Sequence, residues 1–372
     1  MRYFALFLFV LLSGIGTASA ASSNPADWYT DPVTGVVTWV APDEATIPNN
    51  ATGDMIRYGK LLLTETAKYL GAGAPVQYTY NKLSCTNCHL DEGRAAFGTP
   101  WAVVAYKYGG KGTYSARSNR YLDMKNRIHD CTQRSMNGYQ LPDDSYELLS
   151  MVEYMNWMAT GMKVADWTKV VGQGNAKASD LTRPADPVRG RTVYEDQCAA
   201  CHQSDGSGVW DANAKKYIYP ALWGANSFNT GAGMFRLRTA VPFVKGNMPY
   251  GWANATDPLR QLNLDDAWDV TAYVMSQERT MWSGYLNDWT GTYTPTNCMP
   301  NWLRKNPDAG YENFFPRIKS DGTLTGDLAY PAKYSAAQHM YGPWQGMIAE
   351  QNALQAAYLA APNTPPYCQP WP

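Results

Sequence analysis

The chain has 372 residues, and its 31 Lys and Arg against 32 Asp and Glu give a formal net charge of −1. A charge so close to zero argues against nucleic acid or an anionic membrane surface as a partner. The length suffices for two or three domains, and abundant Tyr, Trp, Gly and Pro favour small domains that are rich in loops.

The first twenty residues have the organisation of a secretory signal peptide. Arg2 provides the positive charge, residues 4–12 are an unbroken apolar stretch, and residues 18–20 (ASA) form a small-residue cleavage site. The apolar stretch is shorter than the about 20 residues that a spanning helix needs, and we expect no transmembrane segment later in the chain. We expect cleavage after about Ala20, and residues 21–50 form an N-terminal segment.

A haem attachment motif lies within the first predicted helical unit, residues 51–171. C-x-x-C-H at residues 85–89 (CTNCH) is the signature of a c-type haem. The thiols of Cys85 and Cys88 can add to the two vinyl groups of one porphyrin, and His89 then presents its imidazole to the iron. Helices are predicted before the motif, over residues 53–70, and at the end of the unit, over residues 146–158.

The same pattern returns in residues 187–280. A predicted helix at 187–197 leads into residues 198–202 (CAACH), and a helix at 264–276 closes the unit. Cys198 and Cys201 are the expected attachment sites of a second haem c, with His202 as its iron ligand. A zinc ribbon is the alternative for paired C-x-x-C motifs, but its pairs are usually separated by about 15–20 residues.

The two units predict an all-α protein of two tandem, class I-like cytochrome c domains. Residues 172–186 are polar, contain Gly and Pro, and read as a linker between the domains. Each domain is expected to hold one covalently bound haem c. Covalent haem attachment together with the export signal predicts that the protein resides in the periplasm.

The sixth iron ligand of small cytochrome c domains comes from the loop before the closing helix. In the second unit Met248, within residues 247–250 (NMPY), is the expected ligand, and Met234 and Lys245 are its rivals.

In the first unit the sixth ligand has three candidates. Cys131, Met136 and His129 compete, and spacing leaves open a thiolate-ligated haem and a His/Met haem with Cys131 as a free thiol.

Residues 281–372 are expected to form an irregular extension. The segment is rich in Pro, Trp and Tyr, carries no haem motif, and has one predicted helix, at 345–360. Of the seven cysteines, four belong to the haem motifs, and Cys131, Cys298 and Cys368 remain. We expect an extension wrapped over the haem domains and joined by a Cys298–Cys368 disulfide, which an oxidising compartment favours.

Residues 81–90 (NKLSCTNCHL) and 131–138 (CTQRSMNG) closely resemble the thiosulfate dehydrogenase family of dihaem cytochromes. The resemblance covers about residues 50–280. It implies coupling of two thiosulfates to tetrathionate, a reaction that some members run in reverse. Some members have Lys immediately before the Met ligand of the second haem, where this chain has Asn247.

The resemblance also implies roles for individual residues of the first unit. Cys131 would be the distal ligand of the active-site haem, and Met136 would be a packing residue. Arg127, Arg117 and Ser135 would belong to the catalytic pocket.

The charges of the first unit agree with an anionic substrate. Residues 117–134 contain five cations against Asp123 and Asp130. Guanidinium groups suit a dianion such as thiosulfate because they donate paired hydrogen bonds and stay charged, although pairing with haem propionates is the alternative. The cations are Arg117, Arg120, Lys125, Arg127 and Arg134.

The expected ligands also suggest the direction of electron flow. A thiolate should lower the potential of the first haem and a methionine should raise that of the second, so electrons would pass from the first to the second. They would then leave to an external acceptor, such as another cytochrome c or a similar redox protein. Cys131 would in addition be able to leave the iron and hold a sulfur adduct of the substrate.

Three other functions compete with this interpretation. A non-catalytic dihaem electron carrier would have two His/Met haems and would not react with thiosulfate. A carrier subunit of sulfur oxidation would need a partner chain, and the sequence has no recognisable docking motif for one. A dihaem peroxidase would need an acid/base group, for which His129 is the only nearby candidate.

Overall fold

A computed structural model describes residues 29–30, 37–38, 40–110, 112–115, 117–118, 120–160, 171–284 and 336–346, together with 348, 349 and 353. The signal peptide, the proposed Cys298–Cys368 disulfide and most of the predicted helix at 345–360 lie outside these residues. The helices are α1 (Ala51–Thr64), α2 (Thr66–Tyr69), α3 (Leu90–Gly93), α4 (Trp101–Tyr108), α5 (Met124–Arg134), α6 (Tyr146–Met158), α7 (Pro187–Gln197), α8 (Ala199–His202), α9 (Leu237–Asn247), α10 (Leu264–Ser276) and α11 (Ala336–Tyr341).

Short antiparallel hairpins accompany the helices, so the prediction of a purely helical protein is corrected in this detail. Each hairpin pairs two strands of two to four residues that are neighbours in the sequence. Pieces this short give no usable alternation of apolar and polar residues, and the sequence therefore did not reveal them. The pairs are β1 (Tyr29–Thr30) with β2 (Val37–Thr38), β3 (Thr113–Ser115) with β4 (Arg120–Leu122), and β5 (Val209–Asp211) with β6 (Lys216–Tyr219).

The first helical unit, α1 to α6, is built on the pair α1 and α6. The side chain of Asn50 caps α1 by accepting from the Gly53 N–H at 3.0 Å, and Ser145 caps α6 in the same way. A Cβ on Gly59 would lie 1.9 Å from the Ser150 carbonyl oxygen. The two helix backbones can touch only because residue 59 has no side chain. The predicted helix over 53–70 breaks at Glu65, which joins α1 to α2.

The second helical unit, α7 to α10, repeats this arrangement with α7 and α10. Asp186 caps α7 and Asn263 caps α10 through their side-chain oxygens. Most of the buried hydrophobic residues form two clusters, one within the first unit and the other centred on the second unit but also including Leu83, Met136 and Trp344. The first cluster surrounds Trp101 and Tyr154, and the second surrounds Tyr194 and Trp268. Two cores of this kind indicate that each unit packs largely around its own apolar centre.

The described part of the C-terminal extension lies against the second unit. Trp344 is 1 % exposed and its ring packs 5.2 Å from that of Trp268. The Tyr341 carbonyl accepts from the Ala185 N–H at 2.8 Å, and Gln345 Nε2 donates to the Leu181 carbonyl at 2.6 Å. Within the described residues, no helix has the length and apolar character needed to cross a bilayer.

Candidate active site

The first C-x-x-C-H motif forms one wall of a large cavity in the first unit. A short 3-10 helix, Cys85–Asn87, brings Cys85 and Cys88 to the same side, and the His89 N–H donates to the Cys85 carbonyl at 3.0 Å. Counting the part that opens to solvent, the cavity has a volume of about 1110 Å³. It is lined mainly by apolar side chains, among them Leu63, Leu70, Leu83, Trp101, Val104, Ile128, Met151 and Met155.

His89 is held in the orientation that an iron ligand needs. Its Nδ1 donates to the Thr99 carbonyl at 2.6 Å, and its ring stacks on Trp101 with the centroids 5.5 Å apart. Burial lowers the pKa of His89 to about 4, so the ring is neutral at physiological pH. With Nδ1 occupied, the second ring nitrogen, Nε2, is the one free to bind a metal.

Cys131 and Arg127 face the same cavity from α5. The side chain of Asp123 caps this helix by accepting from the Asn126 N–H at 2.7 Å. Positions 127 and 131 lie one turn apart on one face of the helix. Arg127 Nη1 donates to Cys131 Sγ at 3.1 Å, and the Arg127 guanidinium lies 5.8 Å from the centre of the Tyr108 ring. A positive charge and a sulfur nucleophile therefore share this wall.

The electrostatics of this pair favour a permanently charged guanidinium. The negative charge of a Cys131 thiolate raises the pKa of Arg127, against the opposing effect of burial. Tyr108 and Asp130 act in the same direction as Cys131. Sequence reasoning did not identify Tyr108 because it lies on a different helix, α4.

The other candidates of the first unit divide between the cavity and the protein interior. Ser135, which ends α5, and Met136 both line the cavity. His129 does not line it; this residue is buried, and its Nε2 lies 3.7 Å from Asp143 Oδ1. Of the three candidates for the sixth ligand, Cys131 and Met136 therefore line the cavity and His129 does not.

Arg117 is placed away from the cavity lining. Its guanidinium forms an ion pair with Asp130, which is 2 % exposed, and its Nη1 donates to the Gly231 carbonyl at 3.1 Å. Burial alone would raise the pKa of Asp130, but Arg117 and Arg134 hold it below its usual range. The charge of Arg117 is therefore directed at a buried carboxylate in this structure.

The second C-x-x-C-H motif lines a cavity of its own. This space measures about 1210 Å³, counting the part that opens to solvent, and is bordered by Cys198, Cys201, His202 and Met248. His202 Nδ1 donates to the Pro220 carbonyl at 2.8 Å, and burial lowers the pKa of His202. A backbone carbonyl thus orients this histidine, as it does His89 in the first cavity.

Of the two rival ligands in the second unit, only one reaches this cavity. Met234 lines it together with Met248. Lys245 is not among the lining residues, and its Nζ donates to Gln261 Oε1.

The two cavities adjoin each other. Leu83, Cys88 and Met234 line both of them. Residues Asn175 and Thr239, which come from the linker and from α9, also close the first cavity. No local pattern in the sequence could have assigned them to this wall, because their position depends on how the two units pack.

Both cavities suit haem c. Each combines a pair of cysteines, a histidine oriented by a backbone carbonyl, a sulfur side chain in the lining, and an apolar wall that would surround a porphyrin. Within the described ranges, no group of three or more His, Cys, Asp or Glu side chains is arranged to hold a metal ion.

Comparison with known proteins agrees with this geometry. Residues 187–278 match the cytochrome c family. A thiosulfate dehydrogenase of Allochromatium vinosum is 36 % identical over 256 residues, which is 68 % of this chain and 88 % of the relative. A thiosulfate dehydrogenase of Thiomonas intermedia is 31 % identical over 328 residues, which is 86 % of this chain and 94 % of the relative.

A solved structure is also similar. It is thiosulfate dehydrogenase (TsdBA) from Marichromatium purpuratum in its as-isolated form, with 30 % identity and a TM-score of 0.58. The match covers 66 % of this chain, and the chain spans 50 % of the length of that protein.

Proposed function

The chain belongs to the thiosulfate dehydrogenase family of c-type cytochromes, and we propose that it oxidises two thiosulfates to tetrathionate in the periplasm with two covalently bound haem c groups. The observation that carries this proposal is the contact of Arg127 Nη1 with Cys131 Sγ at 3.1 Å. Both side chains line the cavity that also contains the first C-x-x-C-H motif. A sulfur nucleophile, a fixed positive charge and a redox cofactor would thus meet in one place.

The reaction has a simple balance that sets the demands on the site. Two thiosulfate dianions combine into one tetrathionate dianion, and two electrons are released. Bound haem c would supply the one-electron acceptors for this oxidation. Bringing two dianions together requires positive charge, and a guanidinium can donate two parallel hydrogen bonds to a sulfonate group. Arg127 lines the cavity, which supports this role for its guanidinium.

Cys131 can contribute more than ligation. A Cys131 thiolate and the terminal sulfur of one thiosulfate would form a sulfur–sulfur bond, with the release of two electrons. A second thiosulfate would then attack the substrate sulfur of this adduct, form tetrathionate and release the Cys131 thiolate. In both steps Arg127 would bind the oxyanion, and Ser135, on the same wall, would donate a hydrogen bond to it.

The contact between the two cavities supports the proposed electron route. Electrons released in the first cavity would cross the wall formed by Leu83, Cys88 and Met234. His202 and Met248 would ligate the second iron, from which an external acceptor such as another cytochrome c would collect the electrons. The same residues would serve the reverse reaction.

Replacement of Cys131 tests the function and the ligand together. In Cys131→Gly we expect loss of the low-spin thiolate signal in low-temperature electron paramagnetic resonance and loss of thiosulfate-dependent ferricyanide reduction. Met136→Leu is the matched control, because it replaces the other sulfur side chain of this cavity with one of similar volume, and it should keep both readouts. Retention of signal and turnover in Cys131→Gly would show that Cys131 is neither the iron ligand nor needed for the reaction. Absence of thiosulfate-dependent ferricyanide reduction in the wild type would instead favour the non-catalytic electron carrier.

A further inference from the structure

Asparagine side chains cross the boundary between the two helical units. Asn81 precedes the first C-x-x-C-H motif and is 3 % exposed. Its Nδ2 donates to the Ser135 carbonyl of the first unit at 2.7 Å and to the Ser227 carbonyl of the second at 2.9 Å. Its Oδ1 accepts from the Leu83 N–H at 3.3 Å. A single buried carboxamide therefore joins the two units with every strong hydrogen-bonding group in use.

Asn137 repeats this contact from the R-S-M-N-G run. Its Nδ2 donates to the carbonyls of Ala225 at 3.2 Å and Ser227 at 3.0 Å. Its backbone φ is 50°, a left-handed conformation that asparagine adopts more readily than most residues. Backbone conformation and side-chain contacts thus both explain an asparagine at this position, which the proposed chemistry does not use.

Asn229 of the second unit donates hydrogen bonds in the opposite direction, to the first unit. Asn229 Nδ2 donates to the Gln133 carbonyl at 2.9 Å, and the Asn229 N–H donates to the Arg134 carbonyl at 3.0 Å. Residues 225–231 of the second unit are therefore seated on the C-terminal end of α5, the helix that carries Cys131. Arg117 and Arg134 add hydrogen bonds to the carbonyl of residue 231.

These contacts bear on the wall between the two cavities. Residues 225–231 lead directly into the turn Gly233–Phe235, which contains Met234. Met234, Leu83 and Cys88 together line both cavities, and Leu83 follows Asn81 by two residues. Movement of residues 225–231 away from α5 would therefore carry Met234 away from the first haem motif.

We propose that Asn81 is a positioning residue for electron transfer between the two sites. Together with Asn137 and Asn229 it clamps residues 225–231 to the end of α5 and so fixes the spacing of the two cavities. The inference rests on the proposed function in that it assumes a haem in each cavity. The dependent step moves one electron from the first site to the second, with no bond made or broken, and such a transfer slows steeply as the distance grows.

Hydrogen–deuterium exchange of the holoprotein measures the clamp directly. The Asn229 N–H crosses the boundary, so its exchange reports separation of the units. In Asn81→Ala we expect this amide to exchange about tenfold faster, which corresponds to about 1.4 kcal/mol, while the amides inside α10 are unchanged. Gln140→Ala is the control, because Gln140 bonds Gln133 within the first unit. Unchanged exchange of the Asn229 amide in Asn81→Ala would overturn the proposal.

Photoreduction measures the consequence without any thiosulfate. A flash injects less than one electron per molecule, and the absorbance of the two haems follows its redistribution. We expect slower transfer in Asn81→Ala at unchanged reduction potentials of both haems. Asn137→Gly tests the same clamp if the first variant fails to fold, because glycine keeps the left-handed backbone and removes the amide. Wild-type transfer rates in both variants would overturn the proposal, whereas inactivity of the wild type toward thiosulfate would overturn only the proposed function.

Discussion

Removal of the Arg127 guanidinium should damage turnover without disturbing haem attachment. The side chain is enclosed in the cavity wall and its Nη1 lies 3.1 Å from Cys131 Sγ, where a bound dianion would be desolvated. Loss of a hydrogen bond to a charged group costs about 1.5–3 kcal/mol, so kcat/KM for thiosulfate should fall about 10- to 100-fold in Arg127→Ala. Arg127→Lys should recover only part of this loss, because lysine keeps the charge but lacks the planar pair of donors.

Steady-state reduction of ferricyanide by thiosulfate is the assay for this prediction. Electron paramagnetic resonance of the same samples must show both haems low-spin, so that the kinetic effect is assigned to substrate and not to a lost ligand. Arg120→Ala is the matched control, because the Arg120 side chain is 44 % exposed, does not line the cavity, and forms only a long ion pair with Asp130, at 3.9 Å. Turnover of Arg127→Ala equal to that of Arg120→Ala would refute the assignment of the substrate anion to Arg127.

Two further predictions concern stability. Asp269 is buried, which alone would raise its pKa, but hydrogen bonds from Arg183 help to hold this pKa below the usual range. A carboxyl whose pKa is lower in the folded than in the unfolded protein stabilises the fold above the unfolded pKa of about 4. This contribution is lost as the pH falls further. Chemical denaturation should therefore show a deficit of Asp269→Asn that is largest at neutral pH and shrinks below about pH 4; a deficit independent of pH would contradict this reasoning. Trp344→Ala removes the ring that packs on Trp268 and should lower the free energy of unfolding by about 3–5 kcal/mol. Trp252→Ala is the control, because Trp252 is 45 % exposed and its loss should have a far smaller effect. Equal melting curves of the two variants would show that the extension does not stabilise the second unit.

The parts of the protein that depend on local chemistry were predictable from the sequence. The helices at 146–158, 187–197 and 264–276 were predicted at the bounds that the structure shows. Capping side chains and apolar spacing act within one or two turns, so such helices carry their own start and stop signals. The C-x-x-C-H motif at 85–89 is likewise visible in five consecutive residues, because a c-type haem takes its two thioether bonds and one iron ligand from a single short segment.

The tertiary structure decided which of the candidate residues meet. Arg127 and Arg117 carry the same guanidinium group, yet of the two only Arg127 lines the cavity, because Arg117 forms an ion pair with the buried Asp130. Only the tertiary structure likewise brings Met234 to the wall of the first motif. It also brings the Asn81 carboxamide to the carbonyl of Ser227, a residue far along the chain. Contacts between residues distant in sequence depend on how two helical units pack, and no periodicity or motif within either unit specifies that packing.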